Sequence, residues 1–335
     1  MRTSLLVIAV LAIAAVGVAA ALAVRGFDDG SRSPGVSTEP VGTTHYCGLV
    51  SQPPRRWEHV VWIWLENHSY GEVLGPRGTG PARMPYLNKV ARSCGTANGY
   101  YALVHPSLPN YLGAVSGETQ EVTANCAPAD CNFDAATIFA QVAATGRAWR
   151  TYAQSMPAPC ATTASGRYVP HHNPAVYFRP LADDCARWDL PLGDEVNGPF
   201  AQALSGGGGL TAFTLLVPDL CADAHDCPLG SADAWLRIWL PKITRSADYE
   251  AGATAIFVTW DEGSGGNAPS RCSRADGSCH IATVVVSPST RPGTFDSSFF
   301  DHYSLLKTTE RVLGLRLLGH AADARTRSMA PAFGL

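Results

Sequence analysis

Apolar and polar positions along this chain fall into two kinds of segment. Short, nearly unbroken runs rich in Val, Ile, Phe and Trp cover residues 59–65, 211–217, 253–260 and 281–286. Runs of that length and composition read as strands buried on both faces, the pattern of a largely parallel sheet. Between them the apolar period lengthens to that of a helix. Residues 135–144 are followed by Gly146 as a stop, residues 232–243 carry a face of Trp235, Ile238 and Trp239, and residues 303–313 are followed by Gly314. Strands alternating with helices over this length predict an α/β class and a three-layer α/β/α sandwich.

The polar residues that end the strands sharpen the picture. Glu66 and Asn67 follow the first run, Asp219 comes soon after the second, and Asp261 and Glu262 follow the third. Ligands bind at the carboxyl edge of an open α/β sheet because loops diverge there and helix N-termini point at it. Repeated acidic endings mark that edge as the candidate site.

Residues 5–24 form an apolar run without a charge, between Arg2 and Arg25. It is long enough to span a bilayer, and Ala19, Ala20 and Ala21 offer small residues for a cut, so residues 1–25 read as a signal peptide or an N-terminal membrane anchor. Either way the remainder is expected to be secreted or extracytoplasmic, with membrane contact through this segment if it stays uncleaved. Residues 26–44, rich in Ser, Pro, Gly, Thr and Asp, read as a flexible linker. Residues 45–335 contain no second linker of this kind and read as one domain. Ten cysteines downstream of an export signal read as a disulfide framework. The simplest scheme pairs neighbours: Cys47 with Cys94, Cys126 with Cys131, Cys160 with Cys185, Cys221 with Cys227, and Cys272 with Cys279. Charge then removes one class of partner. Lys and Arg number 25 against 28 Asp and Glu, with no basic run, which excludes the electrostatic footprint of a nucleic-acid binder.

Chemistry concentrates in three places. Glu66, Asn67, Asp261 and Glu262 are all oxygen donors, and they converge if their two strands are neighbours. Carboxylates a few ångströms apart cannot all stay ionised unless a cation lies among them, so the set predicts a divalent metal, and its oxygen-rich character suits one harder than zinc. Taken alone, the same residues also read as solvated turns at strand ends. Ser107 is placed just ahead of a helix whose first turn holds Pro109, where unpaired amides and the dipole favour anions. By itself it reads as an N-cap, and beside a metal as a nucleophile. His172, Asp223, His225 and His302 lie in polar segments, two of them braced by cysteines. Together they suit a leaving-group acid, a phosphate clamp or a second metal. The Gly-x-Ser-x-Gly elbow, the His-Glu-x-x-His helix and the Gly-x-Gly-x-x-Gly loop are all missing.

Six blocks, in order, carry a family resemblance: Glu66-Asn67-His68-Ser69, His105-Pro106-Ser107-Leu108-Pro109-Asn110-Tyr111, His172-Asn173-Pro174, Asp223-Ala224-His225-Asp226, Thr259-Trp260-Asp261-Glu262-Gly263 and His302-Tyr303-Ser304-Leu305-Leu306. The chain resembles the bacterial phosphoesterases that group acid phosphatases with phospholipases C, within the alkaline phosphatase superfamily. The resemblance implies an alkaline-phosphatase-like fold with a mostly parallel central sheet. It implies Glu66, Asn67, Asp261 and Glu262 as metal ligands and Ser107 as a nucleophile forming a phosphoserine. His172 and His225 are then catalytic, one of them protonating the leaving group, and Asp223 and His302 contact substrate. The expected activity is an exported, metal-dependent phosphomonoesterase of the acid phosphatase kind, acting on phosphate esters and, by analogy with some relatives, on phosphoinositides. The alternatives are a phospholipase C-type phosphodiesterase and a catalytically silent cell-surface binding protein on the same fold.

Overall fold

The computed structural model describes residues 46–75, 83–206, 208–266 and 270–335. The apolar leader and the linker lie outside the described residues. No helix among the described residues is long and apolar enough to cross a membrane.

Eight strands build the main sheet: β1 (His59–Leu65), β2 (Gly95–Ala97), β3 (Trp149–Ala153), β4 (Asp189–Pro191), β5 (Phe213–Val217), β6 (Thr254–Trp260), β7 (Thr283–Val286) and β8 (Thr294–Asp296). Their spatial order is β8-β2-β7-β6-β1-β5-β3-β4. From β6 through β4 all neighbours are parallel, and β8 is parallel to β2. The central strands β1, β5 and β6 are buried almost throughout, which is why their sequences carry no alternation.

One expectation needs correcting. The run at 281–286 is a strand over Thr283–Val286, but it runs antiparallel to both β6 and β2. All four of its residues are buried, and such a strand fits beside its neighbours in either direction.

Helices cover both faces of the sheet. The main ones are α1 (Pro85–Ser93), α2 (Ser107–Ser116), α3 (Ile138–Ala144), α4 (Leu229–Thr244) and α5 (His302–Leu313). The two-residue period of β3 shows the layering. Trp149 meets Phe139 of α3, with ring centroids 4.6 Å apart. Tyr152, of opposite parity, meets Phe200, which in turn meets Trp239 of α4 on the other face. Along β1, Trp62 donates its indole N–H to Thr309 of α5, and Trp64 packs on Tyr111 of α2. Thus α2, α3 and α5 form one layer and α4 the other, with α1 packed on α4.

Local chemistry sets the helix ends. The side chain of Thr137 caps α3 by accepting the amide of Ala140, so that helix starts later than its apolar pattern does. Asp301 caps α5 through the amide of Ser304, and Gly314 closes it in the left-handed region at φ 70°. All five disulfides follow the neighbour scheme.

Candidate active site

Strand register builds the site. Leu65 of β1 lies opposite Trp260 of β6, so the next residues, Glu66 and Asp261, emerge side by side at the carboxyl edge. The amide of Asp261 donates to the Leu65 carbonyl at 3.0 Å, which fixes that juxtaposition. Asn67 then turns sharply with φ 51°, a conformation Asn tolerates better than most residues, and its amide donates to Asp261 Oδ1 at 3.1 Å.

Helix α2 delivers the Ser107 hydroxyl. Ser107 opens it, with Pro106 as N-cap, and the hydroxyl donates to Glu66 Oε2 at 3.3 Å. One turn on, the phenol of Tyr111 donates to the other Glu66 oxygen. Positions four apart share a helix face, so this one face addresses both carboxylate oxygens. The amide of Leu108 is capped by Asn125 Oδ1 at 3.0 Å.

The loop after β5 supplies the third wall. Asp219 anchors it by accepting the amides of Cys221 and Ala222 and the hydroxyl of Ser155, and the Cys221–Cys227 disulfide closes it. The carbonyl of Asp223 accepts the Glu66 amide at 3.0 Å, which docks the loop on the end of β1. His172 lies between two acids: its Nε2 is 3.4 Å from Glu66 Oε2, and its Nδ1 is 3.5 Å from Asp223 Oδ2. His225 is exposed, with its ring centroid 5.9 Å from that of His172 and its Nδ1 in contact with Asp226 at 2.7 Å.

Two expected site residues are placed differently from the rest. Glu262 turns to the flank of Asp261, where His105 Nδ1 lies 3.2 Å from one of its oxygens and Asn110 donates to the other at 3.2 Å. His302 is fully buried behind the strand end. Its Nε2 lies 2.6 Å from the Asp261 carbonyl and its Nδ1 3.1 Å from the Tyr100 hydroxyl. With both nitrogens engaged, His302 braces Asp261 from behind and does not face a substrate.

Burial sets the electrostatics of the acids. Burial, then the charges of Asp261 and Asp223, holds the Glu66 carboxyl well above the usual carboxylate range. Burial pushes Asp223 up to about 8. Burial and the charge of Asp261 push Glu262 up to about 7, although His105 and Asn110 act against the shift. Burial holds the His172 imidazole down at about 3, and so neutral, the form that ligates metals, although the charges of Asp261 and Asp226 act against the shift.

These residues fit a divalent cation. Asp261 Oδ2, Asp223 Oδ2, Asn67 Oδ1 and His172 Nε2 are buried atoms without a hydrogen-bond partner. Buried polar atoms are nearly always paired, so four orphans in one cluster mark a place for a ligand. Among the described residues three groups bring metal-ligating atoms together, and two of them rely on disulfide-bonded cysteines, which are not thiolates. The third is Glu66, His172 and Asp223, whose ligating atoms lie within 4.8 Å of one another. Geometry therefore adds His172 and Asp223 to the groups able to hold a cation.

Sequence reasoning did not assign roles to His105, Asn110 or Tyr111. The helical spacing from Ser107 pointed to Tyr111, whereas the partner of His105 and Asn110 lies far along the chain and left no local signal.

The chain is similar to known proteins over most of its length. Residues 77–316 match the phosphoesterase family. The chain is 27% identical over 285 residues to a phosphatidylinositol-3-phosphatase of Mycobacterium tuberculosis, covering 85% of this chain and 86% of that protein. It is 26% identical over 281 residues to a phosphate-repressible acid phosphatase of Penicillium chrysogenum, of whose length the match covers 60%. Among solved structures, a protein of the alkaline phosphatase superfamily from Vibrio parahaemolyticus superposes with a TM-score of 0.56 at 12% identity, over 83% of this chain and 72% of that one.

Proposed function

We propose, from the premise that the chain belongs to the phosphoesterase family and is a hydrolase of phosphoric ester bonds, that it is an exported, metal-dependent phosphomonoesterase using Ser107 as a covalent nucleophile. The observation that carries this reading is the buried hydroxyl of Ser107, 3.3 Å from Glu66 at the start of a helix and beside three further acids.

Glu66, Asp261 and Asn67 would hold the cation, together with His172 and Asp223. When bound, such an ion lowers the pKa of a hydroxyl and offsets negative charge on phosphoryl oxygens. The chain's own groups do the rest. Ser107 Oγ attacks phosphorus while its proton passes toward Glu66, and the bond to the leaving alkoxide breaks. The N-terminus of α2 points its dipole at the phosphoryl oxygens. His225, the more accessible of the two histidines, protonates the alkoxide. Water then attacks the phosphoserine, releasing phosphate and restoring the hydroxyl. Tyr111 and Asn67 hold Glu66 and Asp261 in register through both halves.

The long, nearly full-length match to a phosphatidylinositol-3-phosphatase supports a phosphoinositide monoester as substrate. Five disulfides with no free cysteine support an oxidising, extracytoplasmic location. The test is phosphate release from p-nitrophenyl phosphate and from phosphatidylinositol 3-phosphate, with phosphatidylcholine as the diester control. Release from both monoesters and no diacylglycerol from phosphatidylcholine is expected. Diacylglycerol production without monoester turnover would replace this reading with a phospholipase C.

A further inference from the structure

A groove of about 720 Å³ lies along the outer side of α5, and none of the catalytic-site side chains lines it. Three cations do: Lys307 and Arg311, one turn apart on the helix, and Arg327 from the C-terminal segment. Hydroxyls of Ser298 and Thr326 complete its polar wall. Like charges four residues apart on a helix repel each other. Here one of them, Lys307, is only 3% exposed, and a buried ammonium without a counter-charge is costly.

The chain supplies that counter-charge only at a distance, through Asp323 and Glu310, without a close ion pair. Among the described residues none of the three cations is in an ion pair, and the Lys307 ammonium donates to a neutral group, the Asp323 carbonyl, at 2.8 Å. Each nearby acid makes its closest contact elsewhere. The Asp323 carboxylate contacts His320 Nδ1 at 2.9 Å. Asp296, which lines one end of the groove, accepts the Ser298 amide at 2.7 Å. Glu310 accepts the Leu318 amide, and burial pushes its carboxyl up to about 8, so it carries little charge at neutral pH. Burial and the neighbouring Arg311 push the Lys307 ammonium below its ordinary value, and the charges of Asp323 and Glu310 offset this only in part.

We propose that this groove is a second, non-catalytic anion site that takes a phosphate group, held by the forks of Arg311 and Arg327 with Lys307 beneath. Two planar guanidiniums over a point charge suit phosphate oxygens better than a carboxylate. The site does not depend on the catalytic reading.

Arginine labelling tests it on the full chain, with phenylglyoxal as reagent and mass spectrometry to map each residue. Arg187, stacked on Trp188 beyond the opposite edge of the sheet, is the control. One arm adds inorganic phosphate, and the other adds phosphatidylcholine vesicles doped with phosphatidylinositol 3-phosphate. At about ten times its Kd, the anion should slow labelling of Arg311 and Arg327 about tenfold and leave Arg187 alone. Lys307→Met, which removes the charge and keeps the bulk, should weaken that protection. Protection by soluble phosphate identifies a free-anion site, and protection by vesicles alone identifies a headgroup site. Labelling that ignores both additions, or slows no more at these arginines than at Arg187, overturns the proposal.

Discussion

Replacing Ser107 with alanine should cut kcat on any phosphate monoester by on the order of 10⁴-fold, because the group that forms the covalent intermediate is gone while binding is kept. The folded state should barely change. Ser107 is 2% exposed and makes one side-chain hydrogen bond at 3.3 Å, so its loss costs stability only about 1 kcal/mol. Ser107→Ala should also fail to trap radiolabelled phosphate on acid quench, where the wild type yields a phosphoprotein. Near-normal turnover by a folded Ser107→Ala would remove the covalent route and leave direct attack by water.

The second large effect links metal, pH and stability. Stripped of metal, the protein should lose stability as pH rises from about 6.5 to about 8. In that window the unfolded carboxylates are ionised. In the folded state Asp223, at about 8, and Glu262, at about 7, still hold protons, and Glu66 is raised too. The unfolded chain therefore binds fewer protons, and stability falls with pH by up to about 1.4 kcal/mol per unit for each such group. Histidines act in the opposite sense but lower down. Burial holds His171 and His172 at about 3 and His302 at about 4, so they cost stability only below the unfolded value of about 6.5. A divalent cation binds the ionised acids and should reverse the fall, so its stabilisation grows across the window. Melting temperatures of chelator-treated protein, with and without added Mn²⁺, should differ more at pH 8 than at pH 6.5. A cation effect of equal size at both values, or none, would mean that these acids do not share a metal.

What could be read from the sequence follows from how local each feature is. The span of β1 was legible to the residue because it is a buried strand with a polar stop. The pairing of Glu66 with Asp261 was legible once two such strands were taken as parallel neighbours. Strand β3 was not, since Arg150 interrupts its apolar run and is placed by tertiary contacts, stacking 4.2 Å over Trp188 and donating to the Arg187 carbonyl at 2.9 Å. The three-residue strands β2 and β8 are too short to carry a period. In the site, Ser107 was readable from its position before Pro109. The turning of Glu262 toward His105, and the engagement of both His302 nitrogens, depend on tertiary contacts that no local pattern encodes. The same holds for the approach of His172 and Asp223 to Glu66, which brings three distant segments together.

Anomalous diffraction from crystals grown with Mn²⁺ is the most direct test of whether two strand ends and one helix start enclose a cation. The account predicts a strong peak among the carboxylates of Glu66 and Asp261 and the hydroxyl of Ser107. Manganese found only on surface acids, with those three side chains left to each other, would contradict it.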